Sequence, residues 1–466
     1  MTLGTTPYIE HYVMVEDLKL VPYILGLASA LVLVYALYEG YKRWTHGGQR
    51  IEWTPITARV SNLVKYALLQ WKVLRHRFPG TMHLLIYAGM LWLFIATLLR
   101  ALDLRIAEWT GSPLLAGLVF EVYKLLNNIA GVAVVVGSII AIIRRAAGLT
   151  PNLPKDRSYY AVHIGFILIV VTGFLLDGMA AAASPARASA ESPVWDPVGY
   201  AVYSWASGLS FEELRAFYRP LWVIHLFVAQ LMLALIPFTN LWHIASASLN
   251  VALARREPPA MALKPVLDID ARVEEEKPIG IVKLSDTTWK QRLDYDACTS
   301  CMRCTNSCPA FATDKPLSPR DLIITLRDAM YAGKWDEEVV GKGEFKIQPD
   351  TVWSCVTCGA CLHECPVLIH HVDTIIDLRR GLISTGSEEV PEDAQNALYN
   401  MMQQGNPFGF NPAERDEWLQ SLAEKYGEDI IAQEGVEYDY LYWLGCVTSY
   451  DPRIRPVAEA VIELLR

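Results

Sequence analysis

Two copies of one cysteine pattern dominate the last third of the chain: Cys298, Cys301, Cys304 and Cys308 followed by Pro309, and Cys355, Cys358, Cys361 and Cys365 followed by Pro366. Both read C-x-x-C-x-x-C-x-x-x-C-P. In that spacing three closely set thiolates wrap one iron-sulfur cubane and the fourth reaches across to the other. The expected ligand sets are therefore Cys298, Cys301, Cys304 and Cys365 for one 4Fe-4S cluster, and Cys355, Cys358, Cys361 and Cys308 for the second. Zinc sites and disulfides are the competing uses of such cysteines. A zinc site closes with four ligands and needs no repeated run, and cysteines three residues apart make poor disulfides. Two clusters in one chain imply that electrons are relayed.

The length of 466 residues alone suggests about three domains, but 52% of the residues are hydrophobic, more than a soluble chain usually carries. Five stretches are long and apolar enough to cross a hydrocarbon core, near 21 to 41, 81 to 101, 117 to 143, 159 to 178 and 220 to 246. The first follows an acidic leader (Glu10, Glu16, Asp17) rather than a short basic one, so it reads as a retained helix and not a signal peptide. Lys42, Arg43, Arg50, Arg59, Lys65, Lys72, Arg75 and Arg77 lie between the first two spans, and Arg144, Arg145, Lys155 and Arg157 between the third and fourth. Basic loops belong in the cytoplasm, which puts the N-terminus outside and everything after residue 246 inside the inner membrane. All nine cysteines follow residue 297, so the thiols fall on the same reducing side. The segment from Met179 to Pro220, rich in Trp195, Tyr200, Tyr203, Trp205, Phe211 and Phe217, is expected to anchor at the outer interface or to cover a lipid-soluble substrate.

Ionisable groups inside a span are costly and point to function. His83, His163, His225 and His243 qualify. A b haem needs two imidazoles from facing helices. His83 and His243 stand at matching depth and form the expected pair, with His163 as the alternative ligand. On one continuous fifth span His225 and His243 would share a face about 27 Å apart. His225 would then ligate a second haem, meet a quinone headgroup or hydrogen-bond within the bundle. His46, His76, His370 and His371 read as solvated.

The combination resembles the heterodisulfide-reductase-like iron-sulfur oxidoreductases, with a membrane part similar to the gamma subunit of respiratory nitrate reductase. The resemblance rests on RFPGTMHLLIYAGMLWLFIATLLRALD, TGFLLDG, LWVIHLFVAQLMLALIPFTNLWHIASASLN and both cysteine runs, and covers nearly the whole chain. It implies an iron-sulfur protein that passes electrons between a cytoplasmic donor, such as electron-transferring flavoprotein or a flavoprotein dehydrogenase, and menaquinone in the lipid bilayer. In the nitrate reductase subunit the second and fifth spans supply two histidines each. Here the fifth matches at His225 and His243 and the second only at His83, which leaves one or two haems. LYWLGCVTSYDPRIRPVAEAVIELL looks like the opening of a cysteine-rich module, with Cys446 at its first motif position; it reads as a short strand, a Gly-Cys turn and an amphipathic helix.

The expected fold is mainly α: a five-helix transmembrane bundle (1–249), a linker (250–290, with Arg255, Arg256, Pro258, Pro259 and the acidic Glu274, Glu275, Glu276), a helical two-cluster ferredoxin domain (291–385), a polar helical and loop segment (386–437), and the start of an α/β module (438–466). Within the ferredoxin part Ser318 and Pro319 announce a helix to Lys334 with Leu322, Ile323, Leu326 and Met330 on one face. No G-x-G-x-x-G, P-loop, nucleophile elbow or H-E-x-x-H is present. The net charge of -9, with basic residues gathered in membrane loops, excludes a nucleic acid partner. The rival to a quinone-linked oxidoreductase is a non-catalytic anchor and wire for a separate enzyme.

Overall fold

The computed structural model of the chain describes residues 14–150, 152–153, 156–184, 192–254, 263, 266 and 269–465. Glu10, Lys155, Arg255, Arg256, Pro258 and Pro259 lie outside the described residues. Two compact units result, Met1–Ile269 with Ile281–Leu378, and Asp270–Gly280 with Arg379–Arg466.

Five helices of the first unit are long and apolar enough to cross a membrane. They are α1 (Val21–Trp44), α2 (Arg77–Thr110), α3 (Leu118–Ala146), α4 (Arg157–Ala182) and, after the shorter α5 (Pro197–Ala206), α6 (Phe211–Ala234). Their ends carry local signals. Pro22 opens α1, Asp156 caps α4 by accepting from the Ser158 amide, and Ser210 and Glu213 form a capping box on α6. In lipid no hydrophobic force pulls helices together, so close approach of small residues does it. A Cβ at Gly89 of α2 would stand 2.7 Å from the Ala130 carbonyl of α3, so only glycine permits that contact. Outward-facing Leu27, Leu31, Ile95, Leu98, Ile139 and Phe227 are exposed, as a lipid-facing surface requires.

The fifth span differs from its expected form. α6 stops at Ala234, short 3-10 turns follow at Ile236–Phe238 and Asn240–Trp242, and His243 starts a new helix, α7 (His243–Ala252). Pro237 has no amide hydrogen to continue the α-helical ladder, and Thr239 is extended and bonds the Leu241 amide. His225 and His243 therefore sit on separate helices, not on one face of a single rod. The segment after Met179 is likewise more structured than a loop: Asp196 caps α5, which packs on α4 in a core of Leu176, Met179, Ala180, Ala206, Leu214 and Tyr218.

The rest of the first unit is helical: α8 (Trp289–Asp296), α9 (Arg303–Asn306), α10 (Pro319–Tyr331), α11 (Ala360–Glu364) and α12 (His371–Ser384). Ser318 caps α10 by accepting from the Asp321 amide, and Leu322, Ile323, Leu326 and Met330 are buried along its face. Asp296, at the end of α8, accepts from Trp44 Nε1 at 2.9 Å, Trp242 Nε1 at 3.1 Å and the Tyr331 hydroxyl at 2.6 Å. One buried carboxylate thus ties α1 and the α6–α7 turn to the cysteine-bearing part.

The second unit holds α13 (Glu392–Gln404), α14 (Ala413–Tyr426), α15 (Cys446–Tyr450) and α16 (Arg455–Leu465), around Trp418, Leu422, Tyr426 and Ala458. The turn before α14 is held by the buried Asn406 amide, whose oxygen accepts from the Phe408 and Phe410 amides. The strand expected before Gly445 is not formed among the described residues, since a strand exists only by pairing and no ladder forms there.

Candidate cofactor sites

Each cysteine run winds the same way. Ser300 and Thr357, just before the second cysteine of each run, have φ of 52° and 55°, and Met302 and Gly359, just after it, have 66° and 75°. Such left-handed residues turn the chain sharply enough to aim three side chains inward, and at Met302 a non-glycine residue bears that conformation. After the fourth cysteine the copies diverge: Pro309 opens a short helix, whereas Leu368 turns left-handed before α12.

One cavity is lined by Cys308, Cys355, Cys358 and Cys361, with Pro309, Leu317 and Ile375 around them. A second is lined by Cys298, Cys301, Cys304 and Cys365, with Arg320, Ile369 and His371. Each cavity thus combines three cysteines of one run with the fourth of the other. All described cysteines are free thiols, and among the described residues no three His, Cys, Asp or Glu side chains converge on a point fit for a single ion. The thiols surround open spaces, the arrangement that a polynuclear cluster needs and a lone zinc ion does not.

Burial pushes the Cys298 thiol up to about 11 and those of Cys361 and Cys365 up to about 12. Without a positive partner these sites favour the protonated thiol, and bound iron supplies the charge that holds thiolates there. Backbone amides add to this: Thr357 N–H donates to Cys355 Sγ and Ile369 N–H to Cys365 Sγ, both at 3.3 Å. Contrary to expectation His370 and His371 are buried, because α12 begins at the cavity wall. His371 donates its Nδ1 hydrogen to the Ile369 carbonyl at 3.1 Å, and burial holds it neutral, down to about 4. His46 and His76 also have partners, stacking on Trp335 and pairing with Glu364.

The span histidines divide into a facing pair and two others. His83 on α2 and His243 at the start of α7 have ring centres 6.4 Å apart, tilted by 59°. His83 donates Nδ1–H to Gln70 Oε1 at 2.9 Å and His243 donates Nδ1–H to the Asn240 carbonyl at 2.5 Å, so each keeps Nε2 as a lone pair. His163 is buried against Tyr159, 4.3 Å between ring centres, and its Nδ1 has no hydrogen-bond partner. The Thr172 hydroxyl is spent on the Leu168 carbonyl, so its oxygen accepts from His225 Nδ1 at 2.8 Å.

Charged groups in the spans went unnoticed in the sequence although the rule that singled out the histidines covers them. Lys124 on α3 pairs with Asp196 at 2.7 Å, and Asp196 also bonds Asn128 and the Gly199 amide. Asp103 on α2 is fully buried, pairing with Arg100 at 2.8 Å and accepting from the Leu114 and Leu115 amides. Both clusters fasten loops and α5 to the bundle. Gln70, Lys72 and Arg303 were also missed; no short motif marks a loop residue that acts through a carbonyl or an amide.

Residues 290–366 match the 4Fe-4S dicluster domain. The chain is 28% identical over 95% of its length to the EtfAB:quinone oxidoreductase of Syntrophomonas wolfei, covering 65% of that protein. It is 28% identical over 85% of its length to the probable iron-sulfur-binding oxidoreductase FadF of Bacillus subtilis, covering 60% of it. A probable membrane-anchored ferredoxin of Chromohalobacter salexigens is 32% identical over 53% of the chain, which covers 41% of that protein. The chain spans about two thirds or less of the length of these curated relatives. No solved structure matches it. With a 4Fe-4S dicluster domain and five helices fit to cross a membrane, the chain is a relative of the membrane-associated iron-sulfur oxidoreductases that its sequence resembles.

Proposed function

We propose that the chain is a membrane-bound oxidoreductase that links a cytoplasmic reductant, with electron-transferring flavoprotein as the favoured donor, to menaquinone in the inner membrane. The observation that carries this proposal is the series of adjoining sites: two four-cysteine cavities and, tied to one of them, a facing pair of histidines where apolar helices end. Cys298, Cys301, Cys304 and Cys365 would hold one 4Fe-4S cluster, Cys308, Cys355, Cys358 and Cys361 the other, and His83 with His243 a b haem. Bound there, these groups supply one-electron carriers, while the protein spaces them and tunes them by hydrogen bonds and burial.

The histidine geometry fits the haem role. A metal-imidazole bond is about 2.0 Å and the ring centre lies about 1.1 Å beyond the nitrogen, so two imidazoles that both held one metal between them would have centres about 6 Å apart. The separation here is 6.4 Å, and in both rings the other nitrogen is held by an oxygen, as metal-bound histidines usually are. His163 has no such partner, which supports its place as the alternative. His225, fixed at Nδ1 by Thr172, keeps Nε2 for a second haem or a quinone headgroup.

Exposure orders the two cavities. Val356 is 64% exposed and Cys358 is open to solvent, which supports the cavity of Cys308, Cys355, Cys358 and Cys361 as the one a soluble donor reaches. The cavity of Cys298, Cys301, Cys304 and Cys365 is tied toward the bilayer: Arg303, between Cys301 and Cys304, donates to the Lys72 and Val73 carbonyls, close in sequence to Gln70 and its bond to His83. The cysteine-bearing part packs where Lys42 and Arg43 end α1, with Arg43 over the Tyr331 ring, and basic ends favour the cytoplasmic face and an outside N-terminus. The second reading, an anchor and wire serving a separate enzyme, is favoured by the similarity to a probable membrane-anchored ferredoxin. The test is menaquinol formation by the purified protein in liposomes with reduced electron-transferring flavoprotein as donor. Turnover that is lost in Cys308→Ala supports the oxidoreductase; re-oxidation of the loaded centres only on adding another enzyme supports the wire.

A further inference from the structure

Between α1 and α2 the chain makes an unusual approach to His83. Leu63–Leu68 is a π-helical turn, a form found mostly at functional sites. Its exit is wide, with Leu69 N–H bonding the Val64 carbonyl and Trp71 N–H the Lys65 carbonyl. Gln70 then takes φ of 50°, a left-handed conformation that is strained for a residue bearing a side chain. Nothing in the turn itself needs glutamine, yet its side chain is buried and its Oε1 lies 2.9 Å from His83 Nδ1.

The strap that carries Gln70 is held on both sides. At Gly80, one helical turn before His83, an added Cβ would stand 2.8 Å from the Val73 carbonyl and 2.9 Å from Leu74 Cα, so the bare glycine lets residues 73 and 74 lie directly on α2. From the other side Arg303 donates to the Lys72 and Val73 carbonyls at 2.9 and 3.0 Å, and Lys72 Nζ donates to the Leu362 carbonyl at 3.1 Å. Strain of this kind persists only where the surroundings over-determine it, and it gathers where function uses it.

We propose that Gln70 is the positioning residue of His83: its carbonyl oxygen fixes the ring as the Nδ1–H tautomer, turns Nε2 toward His243, and so sets the redox potential of a metal held between the two. This rests on the haem reading above. The reason is general, since an acceptor on the far nitrogen makes a ligating imidazole more electron-donating and stabilises the oxidised metal.

The test is a spectroelectrochemical titration of the haem in detergent-purified wild type, Gln70→Glu and Gln70→Asn. Glutamate keeps the shape and adds charge; asparagine tolerates the left-handed backbone but is one methylene too short to reach His83. Iron content and cluster EPR signals equal to wild type establish that a variant is folded. At a fixed poise Gln70→Glu is expected to shift the reduced-to-oxidised ratio of the haem at least tenfold toward oxidised, which is 59 mV for one electron. Gln70→Asn is expected to shift it several-fold toward reduced. Haem present in all three with ratios within twofold of wild type overturns the role of Gln70 and leaves the haem reading intact. Wild type without haem overturns the haem reading itself, and this proposal with it.

Discussion

Asp296 offers the sharpest test of how the cysteine-bearing part is fastened to the spans. Its carboxylate is 4% exposed and receives two indole N–H groups and one phenol O–H, from Trp44, Trp242 and Tyr331. Truncation in Asp296→Ala leaves the two indole donors in a site closed to water. A buried donor left unsatisfied costs about 1–3 kcal/mol, so the two buried indoles together cost about 2–6 kcal/mol, and the phenol, on a half-exposed residue that can turn to water, adds less. Asp296→Asn can keep an oxygen for Trp242 and Tyr331, which share Oδ1, but sets an NH2 against the Trp44 N–H at Oδ2, so it strands one buried indole where alanine strands two, for a cost of about 1–3 kcal/mol. Thermal loss of cluster absorbance, followed in detergent, reads both. At about 2–4 °C per kcal/mol, alanine is expected to lower the midpoint by roughly 5–15 °C and asparagine by a few degrees. An alanine variant that melts with wild type, or an asparagine variant as weak as alanine, would refute the view that this carboxylate is the joint.

Three further outcomes follow from the same geometry. In Cys365→Ala cluster iron is expected to fall from about eight to about four per chain; adding Cys298→Ala should cost no more, while adding Cys308→Ala should remove the rest, and loss of the rest in both double variants would mean that each run keeps its own fourth ligand. Because burial lifts the folded thiols of Cys298, Cys361 and Cys365 to about 11–12, the apo-protein carries them protonated at neutral pH, so cluster assembly should release protons and become more favourable as pH rises from 7 to 9. Reconstitution in weak buffer with a pH electrode measures this, and assembly independent of pH would contradict it. Lys124→Met strands the buried Asp196 and should cost about 3–5 kcal/mol in thermal stability, with most of it recovered in the double variant with Asp196→Asn; a double variant no better than the single would show that Lys124 matters for something other than the pair.

The cysteine spacing made both four-thiol groups visible in the sequence because a repeated local motif writes its geometry into neighbouring positions. The five long helices were visible for the same reason, since about 20 apolar residues in a row have few other uses. What stayed hidden depends on contacts distant in sequence. Pro237 was in plain view inside the fifth apolar stretch, yet hydropathy averaged over it and joined α6 to α7. His370 and His371 looked solvated just past the last cysteine run, but α12 begins there and sets His371 in the wall of a cavity. Gln70 carries no motif at all, and its role emerges only where a loop of one segment meets a histidine of another. Lys124 and Asp196, 72 positions apart in number, become one buried pair only when α5 folds back onto the bundle.

The proposed path from cysteine cavities to membrane depends most on the pair His83 and His243. A dithionite-reduced minus oxidised optical spectrum of the detergent-purified protein, with pyridine haemochrome and iron quantitation, is to be recorded beside His83→Ala and His243→Ala. The expected result is an alpha band of a b haem, alongside about eight cluster irons per chain, that is lost in either variant. Eight irons with no haem signal, or a haem indifferent to both histidines, would contradict it.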